Sequence, residues 1–210
     1  MATTTRTDTG RSNQKKRTRT AIVEAARELI GTGAEVTMPA IARVALVSEA
    51  TAYRYFPDLP SLISEVLAGA WPDPADALRP VADSGEPVER VAFVCEFLLR
   101  GILVRQGAVR AMIAATITRP GAVSTRPGIR FGLIDHALVP LQDTLGATNP
   151  EAFAQLKRDL AVVVGAEALF SLTDLCGLAP DEAVTSAVRT ATTLTEAAVR
   201  AAGSLDCGDA

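Results

Sequence analysis

Residues 37–56, TMPAIARVALVSEATAYRYF, hold a set of polar side chains with a common chemistry among apolar positions at helical spacing. Thr37, Ser48, Thr51, Tyr53 and Tyr55 bring hydroxyls and Arg54 a guanidinium, all of them donors to phosphate oxygen. Nucleophilic catalysis is a poor fit to the same residues. The chain has one histidine, His136, and contains no GxSxG, no HExxH and no glycine-rich phosphate loop. Three cysteines, Cys95, Cys176 and Cys207, are widely spaced without a CxxC, which suggests neither a disulfide framework nor a zinc site. No enzyme activity, metal or cofactor is expected.

Charge points to the same region. The 210 residues carry 21 basic and 24 acidic side chains, a net of −3, which by itself argues against nucleic-acid binding. The average hides a division. Residues 1–57 have nine basic and five acidic side chains, a net of +4, whereas residues 58–210 have 12 and 19, a net of −7. A basic head on an acidic body is a sign of nucleic-acid contact.

The elements that position these side chains read as helices throughout. Alternating apolar strands and Asn-Gly turns are missing, and Ala, Leu, Arg and Glu recur with i, i+3, i+4 apolar spacing. The fold class is therefore all-α, with about nine helices. Residues 1–17 lack periodicity and read as a disordered basic arm. A first helix runs from about Thr18 to Ile30 and stops at Gly31 and Gly33. Thr37 and Ser48 can N-cap two short helices, Met38 to Ala45 and Glu49 to Tyr55, with Pro39 in the first turn of one. Two short helices joined by a tight turn have the helix-turn-helix shape. A fourth helix follows Pro57, from about Leu59 to Ala70. The stretch Trp71 to Pro87 contains four prolines and reads as a linker or broken helix.

At this point residues 18–70 resemble the DNA-binding domain of the TetR family of bacterial transcriptional regulators. The pattern T-x-x-x-I-A-x-x-A-G-V-S-x-x-T-x-Y-x-Y/H-F is met by Thr37, Ile41, Ala42, Ala45, Val47, Ser48, Thr51, Tyr53, Tyr55 and Phe56. Leu46 stands where the family has its turn glycine. Leu59-Pro60 stands where it has a lysine and an acidic residue at the fourth helix. The resemblance implies a three-helix DNA-binding head over 18–70 and a helical effector-binding and dimerisation domain over 71–210. It implies that the third helix enters the major groove, with Glu49, Ala50 and Tyr53 near base edges. Thr37, Ser48, Thr51 and Tyr55 would then touch phosphate, with Arg54 and the arm residues Lys15, Lys16, Arg17 and Arg19 supplying charge. The expected partner is double-stranded DNA with a near-palindromic site, and repression is the family default. The alternative is a helical-bundle interaction protein whose helix-turn-helix has lost DNA binding.

The body reads as helices over about Val88 to Val104, Ala108 to Ile117, a segment ending near Leu145 and kinked at Pro140, Asn149 to Leu175, and Pro180 to Ala202. Two copies of Arg-Pro-Gly, at 119–121 and 126–128, frame a loop. LAVVVGAEALFSL is apolar nearly all round, and the last helix has a stripe of small apolar residues, so these last two helices are expected to form a homodimer. The resemblance also implies a small-molecule effector. Trp71, Phe93, Phe97, Met112, Phe131 and His136 are the candidate lining, which favours a mainly apolar ligand. No apolar run reaches the roughly 20 residues that cross a bilayer, and no secretory leader is evident, so a cytoplasmic protein is expected.

Overall fold

Ile22, Ala26 and Ile30 stand one helical turn apart, and all three are buried on the inner face of helix α1 (Thr7–Gly31). The computed structural model describes residues 7–32, 36–68, 70–118 and 128–206. Among these, every regular element is helical, as the spacing predicts. Helix α1 begins at Thr7, so residues 7–17 are helix and not the disordered arm expected from their sequence. The apolar stripe that nucleates the helix starts only near Ile22. Upstream, Gln14, Lys15, Lys16 and Arg17 are good helix formers that extend it one hydrogen bond at a time, with no apolar face to betray them. Residues 1–6, Gly33 and the loop framed by the Arg-Pro-Gly repeats lie outside the described residues.

Two short helices follow, α2 (Met38–Val44) and α3 (Glu49–Tyr55), and then α4 (Leu59–Ala68). The proline-rich segment forms one helical turn, α5 (Pro74–Ala77), and a 3-10 turn at Arg79–Val81. Helices α6 (Pro87–Val104) and α7 (Gln106–Thr118) come next. Where one kinked helix is expected, α8 (Ile129–Ala137) stops, a 3-10 turn spans Val139–Leu141, and α9 (Leu145–Thr148) begins afresh. Pro140 thus breaks the helix outright, since it has no N–H to donate and its ring crowds the preceding turn. The expected long helix to Leu175 is also interrupted. It becomes α10 (Pro150–Val163), α11 (Ala166–Phe170) and a π-helical turn at Ser171–Leu175. The last helix, α12 (Pro180–Asp206), is continuous. Breaks in the proline-rich segment, at Pro140 and at Gly165 account for twelve α-helical segments among the described residues where about nine are expected.

The chain divides into two units, the first with α1–α4 and α7, the second with α5, most of α6 and α8–α12. In the first, α1 lies against α2 and α4, α2 against α3, and α7 against α4. Its core is Ile22, Ile41, Ala42, Ala52, Phe56, Leu62 and Ile63, each almost wholly buried. Ala108, Val109 and Met112 of α7 are buried as well, so this unit takes in a helix that the order of elements in the sequence places in the body.

The second unit is held partly by arginines. Arg90 is only 7% exposed. Its guanidinium donates to the carbonyls of Val81 (2.8 Å), Ala82 (3.0 Å) and Ser84 (3.3 Å) on one side. On the other it donates to His136 (2.8 Å) and Ala137 (3.2 Å). The carbonyls of His136 and Ala137 lie at the end of α8, where a cation suits the helix C-terminus; those of Val81, Ala82 and Ser84 lie at and beyond the end of the 3-10 turn. Arg130 does the same at the break before α11. It donates to the Ala161 carbonyl (3.0 Å) and pairs with Glu167 (3.1 Å). Gly165 is extended there, and a Cβ on it would lie 2.7 Å from the Arg130 guanidinium. The Arg130 guanidinium thus lies close against the backbone at the break, where residue 165 has no side chain.

The turn between α2 and α3 carries backbone strain. Val47 N–H donates to Ala42 (2.9 Å) and Leu46 N–H to Arg43 (3.2 Å), the paired closure of a Schellman cap. That cap requires a left-handed residue, and Leu46 supplies it at φ 55°, alone among the described non-glycine residues. Its side chain is 92% exposed and packs against little. Leu46→Gly is expected to relieve about 1–2 kcal/mol of steric cost. Greater freedom of the unfolded chain takes back about 0.5–1 kcal/mol. Thermal unfolding should show a net gain of about 0.5–1 kcal/mol, whereas Leu46→Ala should show none. In the second unit, Arg90→Met keeps the volume but strips five carbonyls of their donor. Urea unfolding should then show a loss of about 3 kcal/mol, with Arg90→Lys losing less.

Candidate nucleic-acid interface

A helix of seven residues cannot hold itself, so the outward face of α3 exists only because its inner face is pinned. Ala52 is fully buried and Phe56 nearly so, and the small Ala42 on α2 lets the two helices cross closely. The Ser48 hydroxyl caps α3 by accepting from Thr51 N–H (3.2 Å) and is hydrogen-bonded to the Thr51 hydroxyl (2.9 Å). The Thr37 hydroxyl caps α2 by accepting from Ala40 N–H (3.3 Å). Each cap is worth about 1 kcal/mol. Both are at the positions expected from the sequence.

With 52 and 56 inward, positions 49, 50, 53 and 54 face outward together. Glu49, Ala50, Tyr53 and Arg54 are all exposed. Thr51 and Tyr55 sit half-buried on the flank, with the Arg54 guanidinium 5.6 Å from the centre of the Tyr55 ring. Ser48 and the half-buried Thr37 keep their oxygens at the surface ends of the two helices. An exposed carboxylate, a methyl, a phenol and a guanidinium in one row can accept from a cytosine amino group, touch a thymine methyl and donate to phosphate. At the head of α4, Asp58 accepts from Ser61 N–H (2.8 Å), and Leu59 and Pro60 follow it, so no cation stands at this point.

The basic segment is sorted by helix geometry. Lys16 and Arg17 share a face with Asn13, Thr20 and Glu24, and line an open groove of about 480 Å³. Lys15 is exposed on the side of Arg19, one turn away. Arg19 does not stand free. Its guanidinium pairs with Glu65 of α4, donates to the Tyr55 carbonyl (3.4 Å) and lies 4.4 Å from the centre of the Phe56 ring. Of the four arm cations it is the one that the rest of the head engages in this way. Neither spacing nor charge distinguishes it from its neighbours in the sequence.

Of the six candidate effector residues, five belong to the second unit and Met112 to the first. Trp71, Phe93 and Phe97 form a row, with ring centres 6.1 Å and 6.2 Å apart. Trp71 reaches this position because residue 101 is glycine; a Cβ there would lie 2.3 Å from the indole. His136 is half-buried on α8 and donates from Nδ1 to the Gly132 carbonyl (3.0 Å). Phe131 is 57% exposed, and Met112 is buried in the other unit. Cys95 is fully buried, and burial pushes its thiol up to about 12, which removes it as a nucleophile near neutral pH. Among the described residues no group of three or more His, Cys, Asp or Glu side chains is placed to hold a metal. No described helix is long and apolar enough to cross a membrane.

Residues 22–66 match a protein-family model described as bacterial regulatory proteins, tetR family. No curated protein and no solved structure matches the chain. The match spans the inner core of α1, both short helices and most of α4, which are the elements that hold the outward face of α3. Lys16→Ala with Arg17→Ala should lower the slope of log affinity against log salt by about two units, near 0.9 for each phosphate no longer neutralised. Fluorescence anisotropy on a duplex at several salt concentrations measures it, and an unaltered slope removes this face of α1 from the interface.

Proposed function

We propose, from the match of residues 22–66 to the bacterial regulatory proteins of the tetR family, that the chain is a homodimeric repressor that reads a near-palindromic DNA site and leaves it when a small, mainly apolar effector binds. That it is a DNA-binding transcriptional regulator follows from the family. The single observation that supports discrimination between base sequences is the outward row of Glu49, Ala50, Tyr53 and Arg54, fixed from below by Ala52 and Phe56. On this proposal α3 lies in the major groove. Glu49 and Ala50 meet base edges, Tyr53 meets a base or the backbone, and Thr37, Ser48, Thr51, Arg54 and Tyr55 meet phosphates. Lys15, Lys16 and Arg17 add the salt-dependent term.

Two copies would present two such helices about 34–36 Å apart, one turn of DNA, or a multiple of it. The homodimer is proposed through the segments from α10 to α12. In the described structure α12 buries Ala183, Val184, Ala187 and Ala191, while Val162 on α10 and Leu175 beyond α11 remain 73% and 84% exposed. The dimer reading rests on the apolar composition of these segments, with Val162 and Leu175 as the side chains a second copy would cover. For the effector, the aromatic row of Trp71, Phe93 and Phe97 is the best-supported part of the lining. Phe131 and His136 belong to the same unit, and Met112 lies in the head unit. If effector and DNA oppose each other, each must weaken the other by the same factor.

Selection from a pool of random duplexes tests the proposal. Enrichment of a near-palindrome is expected, and Glu49→Ala should relax preference at one position of each half-site. No enrichment with wild-type protein would leave a helical bundle whose helix-turn-helix is silent. An unchanged profile for Glu49→Ala would remove Glu49 from base readout.

A further inference from the structure

We propose that Arg19 is a positioning residue for α3, acting with Glu65 to hold the end of the DNA-reading helix; this rests on the DNA-binding role proposed above. Three contacts meet in one side chain. The guanidinium face lies over Phe56, 4.4 Å from the ring centre. One edge donates to the Tyr55 carbonyl, 3.4 Å away, and the other pairs with Glu65. Phe56 is 2% exposed, so the ring under the guanidinium is itself fixed.

The Tyr55 carbonyl is one of those that end α3 without a partner inside the helix, and a cation there also suits the helix dipole. Ser48 fastens the first turn of α3, and Arg19 fastens the last. It does so from α1, while Glu65 on α4 keeps the fork in place. Helix α3 is thus held at both ends, and its roll determines which side chains meet base edges. Lysine cannot replace this arrangement, because an ammonium is a point charge with no planar face to stack and no fork to divide between two acceptors.

A phosphate contact and a positioning role predict opposite outcomes. Removing a phosphate contact weakens every duplex alike and lowers the salt slope by about one unit. Loss of positioning weakens the selected site while non-specific affinity and slope stay as they were. Glu65 makes the contrast sharper. Removing a carboxylate from a DNA-binding head strengthens binding if only charge matters, and weakens specific binding if Glu65 steers Arg19.

The experiment uses the full chain, a duplex from the selection and a scrambled duplex, with anisotropy titrations across salt. Arg19→Met is expected to lower affinity for the selected duplex about five- to tenfold, the low end of the value of one base-edge contact, with the scrambled duplex and slope unchanged. Glu65→Gln should lower selected-site affinity in the same direction, and Arg19→Lys should not restore it. These last two keep the polarity of the site and serve if Arg19→Met proves too unstable to assay. Equal weakening on both duplexes with a slope lower by about one unit, or tighter binding by Glu65→Gln, overturns the proposal. A wild-type chain that selects no duplex overturns the proposed function instead, and this role with it.

Discussion

Two helices of seven residues each, α2 and α3, stand at the centre of the head, and neither is long enough to persist in water by itself. Most features of this unit follow from that shortness. The inner faces must be anchored, which Ile41, Ala42 and Ala52 do with essentially no exposure. The free N–H groups at both starts must find acceptors, which Thr37 and Ser48 provide. The turn between them must close in few residues, and it closes through a left-handed backbone even though the residue there is leucine. A strained Leu46 persists because the helices on either side are fixed by other contacts, so the chain has no relaxed route from Ala45 to Ser48.

The second unit meets the opposite problem, helices that are interrupted. Every interruption leaves carbonyls without intrahelical donors. Two arginines fill them, Arg90 between the 79–84 segment and the end of α8, and Arg130 at the gap before α11. A guanidinium suits the task because its five donors lie in one plane and can serve several carbonyls at once. Burying the Arg90 charge is tolerable because carbonyl oxygens accept from it on both sides, two of them at the C-terminal end of α8.

This difference decides what is legible in the sequence. The all-α class, the helix-turn-helix, both caps and the outward row of α3 are legible because each depends on neighbours within a few residues. The same holds for the loss of regular helix at Pro140. How a break is repaired depends on residues far away in sequence. Gly165 reads as one small residue in an apolar run, and nothing near it in sequence says that Arg130 lies against this break and donates to the Ala161 carbonyl. Helix α7 follows α6 directly, which suggests the body, yet it lies against α4.

The charge pattern gains meaning from the same correction. Residues 1–70 and 104–126, the sequence span of the first unit, contain 13 basic and 7 acidic side chains, a net of +6, which leaves −9 on the rest of the chain. A boundary drawn at residue 57 understates the contrast because α7 and the segment after it hold arginines and no acidic residue. Net charge nevertheless does not say which cations can meet a phosphate. Lys16 and Arg17 line an open groove, whereas Arg19, two residues on, is committed to Glu65, Tyr55 and Phe56. Electrostatic attraction brings a duplex to the head as a whole. If α3 reads the duplex as proposed, discrimination depends on its orientation, so the occupied cation would act on sequence preference and the cations lining the groove on affinity.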